Sequence, residues 1–322
     1  MPRLRRADTS GPGLRRVGAG RGFTYRGIDG GRVDAATRAR IERLVIPPAW
    51  TDVWICSYDN GHIQATGLDA AGRRQYLYHP AWREQKDRIK FERALELAQS
   101  LPGARRKVTA ELRSSGFTRD RALAAGFRML DTALLRVGSE RYAQEHGSHG
   151  LSTLLCSHAT VTGADAVLLE FPGKSGQPWS SELRDPDLAE FIRALKRRGP
   201  TARLLAWKGE GGWHPVSAAE INEYVRERTG GDFTAKDFRT LHATVAAAEA
   251  LSKAGPRPSA SARRRVVAAT VREVATLLGN TPAIARGSYI DPRIIDLYDH
   301  GRTIERGRSG AGERALVRLL TP

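Results

Sequence analysis

The chain has 322 residues, 40% of them hydrophobic, and its 52 Lys and Arg against 35 Asp and Glu leave a formal charge of +17. That apolar content is enough for two packed domains and argues against a disordered scaffold; the charge calls for a polyanionic partner, nucleic acid first of all. No long apolar run or basic amphipathic helix directs the charge to a membrane, and Cys56 and Cys156, without a CxxC or a zinc spacing, read as buried thiols in strands.

Residues 1–22 are basic and glycine-rich and read as a flexible arm that touches phosphate when DNA is present, with a solubility tail as the alternative. They lack the apolar core of a secretory signal, so a cytoplasmic, nucleoid-associated protein is expected. From Val53 to Tyr78 the pattern is strand-like: VWICSY, a turn at Asp59–Asn60–Gly61, HIQATG, a turn at LDAAG, then RRQYLYH. The Asn60–Gly61 pair suits the positive φ angles of a tight hairpin. A small β-rich domain over 1–79 follows from this reading.

After Pro80 the period becomes helical, in AWREQKDRIKFERALELAQSL and again from Leu123 through Phe127, Leu130, Leu134 and Val137. STLLCSHATV and AVLLEF return to short strands, so a small three-stranded sheet is expected inside a mainly helical domain spanning 80–322. Helices resume at DPDLAEFIRALKRR and SAAEINEYVRER, the second with a Ser217/Glu220 capping box. Thr234 caps the helix that carries Arg239. A long helix from about Ser261 stops at Gly279, Thr281–Pro282 start a short helix leading to Tyr289, and Asp291–Pro292 start another. The fold class is α+β.

Four residues sit in contexts that suit phosphodiester chemistry: Arg136 in LLRVGSERY, Lys174 in EFPGKSG, Arg239 in TAKDFRTLHAT and Tyr289 in LLGNTPAIARGSYI. A phosphodiester attacked by a tyrosine passes through a pentavalent state whose non-bridging oxygens need fixed donors. Arginine forks provide these and stay charged. The departing 5′ oxygen needs a proton, for which Lys174 is the candidate general acid, and Tyr289 as nucleophile stores the broken bond as a 3′-phosphotyrosyl link. No P-loop, acidic metal cluster or zinc spacing occurs, so no cofactor and no metal are expected. Each residue also has an ordinary reading: salt bridges or passive phosphate contacts for the arginines, a solvated turn for Lys174, a core aromatic for Tyr289.

Taken together these motifs resemble type IB DNA topoisomerases of the compact poxvirus-like and bacterial kind, and IPPAWTDVWIC, NGHIQATG and GRRQYLYHPAWRE resemble that family's N-terminal domain. The resemblance implies a tyrosine recombinase/type IB-like catalytic domain that, with the β-domain, clamps double-stranded DNA. It also implies a monomer that nicks one strand, lets it rotate and religates it without ATP. Arg136 and Arg239 then hold the scissile phosphate, Lys174 protonates the 5′ oxygen and Tyr289 attacks. Lys236, one turn before Arg239, either adds charge near the phosphate or lies on a solvated face. Where the family has histidine this chain has Asn280, which can donate a hydrogen bond but brings no charge or proton, so weaker transition-state binding is expected there, unless Asn280 is only a helix stop. Gln64, Arg73, Arg74, Gln75, Tyr76 and Tyr78 are the candidates for the DNA face of the β-domain, although alternation along a strand turns some of them inward. A tyrosine recombinase or integrase and a non-catalytic DNA-binding protein on the same fold are the alternatives.

Overall fold

A five-stranded antiparallel sheet in the order β2-β1-β3-β4-β5 frames the N-terminal unit. Its strands are β1 (Leu14–Ala19), β2 (Gly22–Arg26), β3 (Thr51–Ile55), β4 (Ile63–Leu68) and β5 (Arg74–Tyr78), with helix α1 (Ala35–Arg43) packed on one face. Leu14, Val53, Ile55 and Ala65 supply the sheet side of its small core and Ile41 the helix side. α1 starts where the Asp34 side chain accepts the Thr37 N–H, an ordinary N-cap. The structure, a computed structural model, describes residues 3–305 and 311–321, and the chain divides into units Met1–Ile89 and Lys90–Pro322.

Three expectations for this unit are corrected. Residues 3–19 are not a free arm: Arg5 bridges to Gly61, the Arg5 N–H donates to Asn60 O at 2.9 Å, and β1 pairs with both β2 and β3. The turn before β4 uses no positive φ at Asn60 or Gly61. Glycine is needed there because a Cβ on Gly61 would lie 2.4 Å from Cys56 Sγ, and Asn60 instead ties down the N-terminal segment through Nδ2 to Arg3 O at 3.0 Å. The division of the chain falls at 89/90, inside the long helix α2 (Pro80–Leu112), rather than at 79/80.

The second unit is built around α3 (Arg119–Ala133), which is buried on nearly every side, as its Ala- and Leu-rich sequence dictates. Around it lie α2, α5 (Pro186–Lys196), α6 (Ala218–Thr229), α7 (Ala235–Ala254), α8 (Ala260–Leu278), α9 (Pro282–Ser288), α10 (Pro292–Asp299) and α11 (Gly312–Leu320), with α4 (Glu140–His146) after α3. The expected three-stranded sheet is present as β6 (Ala159–Thr162), β7 (Ala166–Pro172) and β8 (Pro178–Arg184), in sequence order. A hairpin, β9 (Ala206–Gly209) and β10 (Gly212–Pro215), accompanies it. STLLCSHATV is mostly two short 3-10 turns, so Cys156 lies in a turn, and Cys56 follows β3; both thiols are buried. The capping box at Ser217 forms, with Glu220 N–H to Ser217 Oγ at 3.2 Å and Ser217 N–H to Glu220 Oε2 at 2.9 Å. Among the described residues no helix is long and apolar enough to cross a membrane.

Candidate active site

Arg136 does not continue α3 as the periodicity suggests. Leu134 adopts a left-handed conformation (φ 51°), which ends the helix and turns the next residues into a loop. A second segment pins that loop: Leu151 N–H donates to Arg136 O at 2.9 Å and Ser152 N–H to Val137 O at 2.8 Å. The approach is so close that a Cβ on Gly150 would lie 2.6 Å from Gly138 Cα. Glycine is required at 150 for proximity rather than for its own dihedral.

Arg239 lies in the second turn of α7, only 2% exposed. Thr234 caps this helix, and Asp237 Oδ2 reaches back to accept from the Thr234 N–H at 2.8 Å. The Arg239 Nη1 donates to Leu134 O, and Nη2 donates to Leu278 O at 2.8 Å. One guanidinium therefore joins the end of α3 to the end of α8. Its Cζ lies 5.2 Å from the centre of the Tyr289 ring and 5.9 Å from that of Trp179.

Tyr289 closes α9, whose start is capped by Thr281 with Pro282 in the first turn. Its carbonyl has left the helical ladder and accepts from Thr244 Oγ1 at 3.0 Å, while the same hydroxyl accepts the Asp291 N–H at 3.1 Å. Thr244, on α7, so fixes the break between α9 and α10 to the helix that carries Arg239. Asn280 follows Gly279, whose left-handed φ of 57° ends α8. Its backbone N–H closes the helix end on Ala275 O at 2.9 Å, and its side-chain Oδ1 accepts from Arg136 Nη2 at 2.7 Å. The backbone of Asn280 thus stops the helix, as one of its two readings expects, and its side chain turns to Arg136.

Arg136, Arg239, Asn280 and Tyr289 thus converge. Two buried donors among them, Arg239 Nε and Asn280 Nδ2, have no protein acceptor. A buried unpaired donor costs about 1–3 kcal/mol, and an anionic oxygen is the acceptor that best relieves it. Burial lowers the Arg136 guanidinium below the ordinary arginine range and brings Arg239 to about 10, the nearby charge of Arg136 adding to the latter. Burial alone raises the Tyr289 phenol, but the positive charges of Arg239, Arg136 and Lys236 outweigh it and hold the phenol below its usual value. The site therefore makes the phenolate easier to form than on a free tyrosine. Lys236 is exposed one turn before Arg239, and its effect on Tyr289 supports the reading that its charge reaches the site.

Lys174 is not drawn into this cluster. It lies in a 3-10 turn between β7 and β8, its carbonyl accepting the Gln177 N–H at 3.4 Å and its exposed side chain making no hydrogen bond or ion pair among the described residues. The base of its hairpin does reach the site, because Trp179 on β8 faces Arg239 and would lie 3.1 Å from a Cβ on Gly279. Trp179 and Thr244 are the site residues that motif reading misses. No spacing rule distinguishes Thr244 from Thr240, which merely bonds back to Lys236 O at 3.3 Å. Trp179 can be inferred only from strand pairing that sets it opposite Phe171.

The N-terminal candidates divide. Gln64 is corrected to a structural role: 3% exposed, it donates from Nε2 to Asp59 O at 2.9 Å and Gly61 O at 2.7 Å. Arg73 and Gln75 are held by Asp69, at 3.0 and 2.9 Å, on the face of β5 that also carries Leu77 toward the core. Arg74, Tyr76 and Tyr78 alternate onto the exposed face, the two tyrosine rings stacked with centres 6.0 Å apart.

Residues 79–300 match the family described as eukaryotic DNA topoisomerase I, catalytic core, and residues 22–69 match the bacterial DNA topoisomerase IB N-terminal domain. The chain belongs to the type IB DNA topoisomerase family. A DNA topoisomerase 1B of Acanthamoeba polyphaga mimivirus is 29% identical over 296 residues, 89% of this chain and 88% of that protein. The DNA topoisomerase 1B of Vaccinia virus (strain Western Reserve) is 24% identical over 275 residues, 80% of each. The DNA topoisomerase 1 of Mycosarcoma maydis matches over 54% of this chain at 27% identity, although that stretch is 19% of the fungal protein. These similarities place the topoisomerase within the compact type IB group.

Proposed function

We propose that this type IB topoisomerase cuts one strand of duplex DNA with Tyr289, allows rotation about the nick and reseals it, relaxing supercoils of either sign without ATP or metal. The carrying observation is the meeting of the Tyr289 ring with two guanidiniums and Asn280, where two buried donors await an acceptor. A phosphodiester provides non-bridging oxygens for both donors.

Cleavage then balances as follows. The Tyr289 phenol, its pKa held down by Arg239 and Arg136, gives its proton to solvent and its Oη forms a bond to phosphorus. The phosphorus–O5′ bond breaks, and the departing oxygen takes a proton from Lys174 as the β7–β8 turn meets the strand. Charge gathering on the non-bridging oxygens meets Arg136, Arg239 and Asn280 Nδ2, each donor contributing roughly 10²- to 10³-fold by analogy with an oxyanion hole. Religation runs the same steps backward. In this reading the catalytic unit is of the tyrosine-recombinase kind, a single copy acts on DNA, and both units hold the same duplex as a clamp. Arg74, Tyr76 and Tyr78 are the N-terminal unit's contribution.

The test is plasmid relaxation in EDTA without ATP, together with a suicide duplex that traps the covalent complex. The wild type should relax plasmid and form a denaturation-resistant adduct, while Tyr289→Phe binds duplex without either activity. An adduct of equal yield with Tyr289→Phe removes the assignment. Joining of defined sites without general relaxation favours a recombinase.

A further inference from the structure

The β7–β8 hairpin carries Lys174 at a tip that extends past its own sheet. β6 pairs with β7 from Ala166 to Leu169, so the strand runs beyond that partner from Glu170 onward. There the His149 N–H donates to Pro172 O at 2.8 Å, and the turn is closed by the Gly173 N–H donating to Gln177 O at 2.7 Å. At the base of the overhang Phe171 stands opposite Trp179, with ring centres 6.2 Å apart and planes 28° from parallel. Phe171 is buried, its ring centre 6.1 Å from that of His158, which in turn lies 4.6 Å from that of His149. His149 leads into the segment whose Leu151 N–H donates to Arg136 O, so a row of rings ties the hairpin base to the loop of Arg136.

Trp179 makes the second tie. Its ring centre lies 5.9 Å from Arg239 Cζ, within cation–π range of a guanidinium whose two Nη groups are already fixed by Leu134 O and Leu278 O. The same ring packs on the end of α8, where a Cβ on Gly279 would lie 3.1 Å from Cζ3. Its Nε1 donates to Ser181 Oγ on the same strand at 3.1 Å; an indole has no other donor, so the ring contributes by packing and not by binding a phosphate oxygen. We infer that Trp179 is a positioning residue for the general acid: it sets the angle at which the hairpin leaves the site, and so the place where Lys174 delivers its proton to the departing 5′ oxygen. The inference rests on the reading of Lys174 as that acid. Lys174 follows Phe171 by three positions. At strand rise that is about 10 Å, so a tilt of roughly 6° at the base moves the tip by about 1 Å, a displacement that costs on the order of 10²-fold at a reacting group.

The experiment is single-turnover cleavage of two duplexes of the same sequence, one ordinary and one with sulfur at the 5′ bridging position, whose thiolate leaves without a proton. Trp179→Ala should slow cleavage of ordinary DNA about 10- to 100-fold and of the sulfur duplex less than about threefold, while Trp179→Phe, which keeps a ring, should stay within about threefold of wild type on both. A double variant tests the route: in a Lys174→Ala protein, Trp179→Ala should cost less than about threefold more on ordinary DNA, because residues that act through one another are not additive. Equal losses on both duplexes, or full additivity with Lys174→Ala, mean that the indole serves Arg239 and Tyr289 or the fold in general, and overturn the inference. Should the alanine variant not fold, Trp179→Leu keeps apolar cover on Phe171 and is judged by the same comparison: a loss about threefold or more greater on ordinary DNA than on the sulfur duplex supports the inference, and equal losses overturn it. Lys174→Ala alone separates the two readings. If sulfur rescues it but not Trp179→Ala, the acid stands and the role of Trp179 is rejected; if sulfur does not rescue it, the acid falls and the inference with it.

Discussion

Thr244→Val is a near-isosteric replacement that removes one hydroxyl from the site without touching any cation. Two bonds disappear with it: the donation to Tyr289 O at 3.0 Å and the acceptance from Asp291 N–H at 3.1 Å. Thr244 and Asp291 are each 2% exposed, so water does not readily replace the hydroxyl. At about 1–3 kcal/mol for each buried group left unpaired, the folded state should lose about 2 kcal/mol or more. The chain can recover part of that only by letting the α9–α10 break move away from α7. Tyr289 moves with the break while Arg239 stays on α7, and a displacement near 1 Å at a reacting atom costs on the order of 10²-fold in rate. The expected result is a 10- to 100-fold slower single-turnover adduct formation at saturating protein, with duplex affinity unchanged. Thr244→Ser, which keeps the hydroxyl, should restore most of the rate. If Thr244→Val cleaves at the wild-type rate, or if the serine variant is as slow as the valine one, the hydroxyl does not position the nucleophile and the argument fails.

Further outcomes follow from the same geometry. Lys174→Ala should slow cleavage severely on ordinary DNA and recover on DNA with sulfur at the 5′ bridging position, because a thiolate leaves without a proton; absence of rescue reduces Lys174 to a binding residue. The pH profile of cleavage should rise to a midpoint below 10, since the net effect of its neighbours lowers the Tyr289 phenol, and Arg136→Gln should move that midpoint upward by removing one of the lowering charges; a midpoint that stays put in a stopped-flow series excludes the coupling. Arg105 binds Asp131 at 2.7 and 2.8 Å and Glu313 at 2.8 and 2.6 Å, joining α2, α3 and α11. Burial alone raises the Asp131 carboxyl, but Arg105 and then His242 hold it well below the ordinary value of 3.8. The depressed folded value means this stabilisation is complete above that pH and lost as the pH falls below it. Arg105→Met leaves a buried carboxylate and should cost about 3 kcal/mol, with acid unfolding starting at a higher pH; urea melts across the acid range check both.

Much of the second unit is legible in the sequence because its signals are local. The Ser217 box, the Gly279 stop and the Thr281–Pro282 start each depend on a few neighbouring residues, and each appears where the sequence places it. Legibility ends where a distant partner overrides the local pattern. Leu134 continues the apolar period of α3, yet it turns left-handed, a conformation that costs a non-glycine residue on the order of 1–3 kcal/mol. Its carbonyl is thereby offered to Arg239, a residue more than a hundred positions away. β1 resembles part of an arm because LRRVGA shows two adjacent arginines. As a strand it needs only Leu14 turned to the core. Gln64 shows the opposite error, a long polar side chain expected to face outward that in fact turns inward to donate to the carbonyls of Asp59 and Gly61.

Asn280 explains how the site can work without the imidazole that the resemblance places at this position. The side chain has two jobs in the structure, and they use different atoms: Oδ1 accepts from Arg136 and so orients that guanidinium, while Nδ2 remains a buried donor with no protein partner. A neutral imidazole can also accept at one nitrogen and donate at the other, but protonation takes its acceptor away. The amide keeps both functions at every pH at which the protein is folded. What it gives up is positive charge, and that loss falls where Arg136, Arg239 and Lys236 already act together on Tyr289. The substitution therefore removes charge where the site has most of it and retains the hydrogen-bond geometry on which the placement of Arg136 depends.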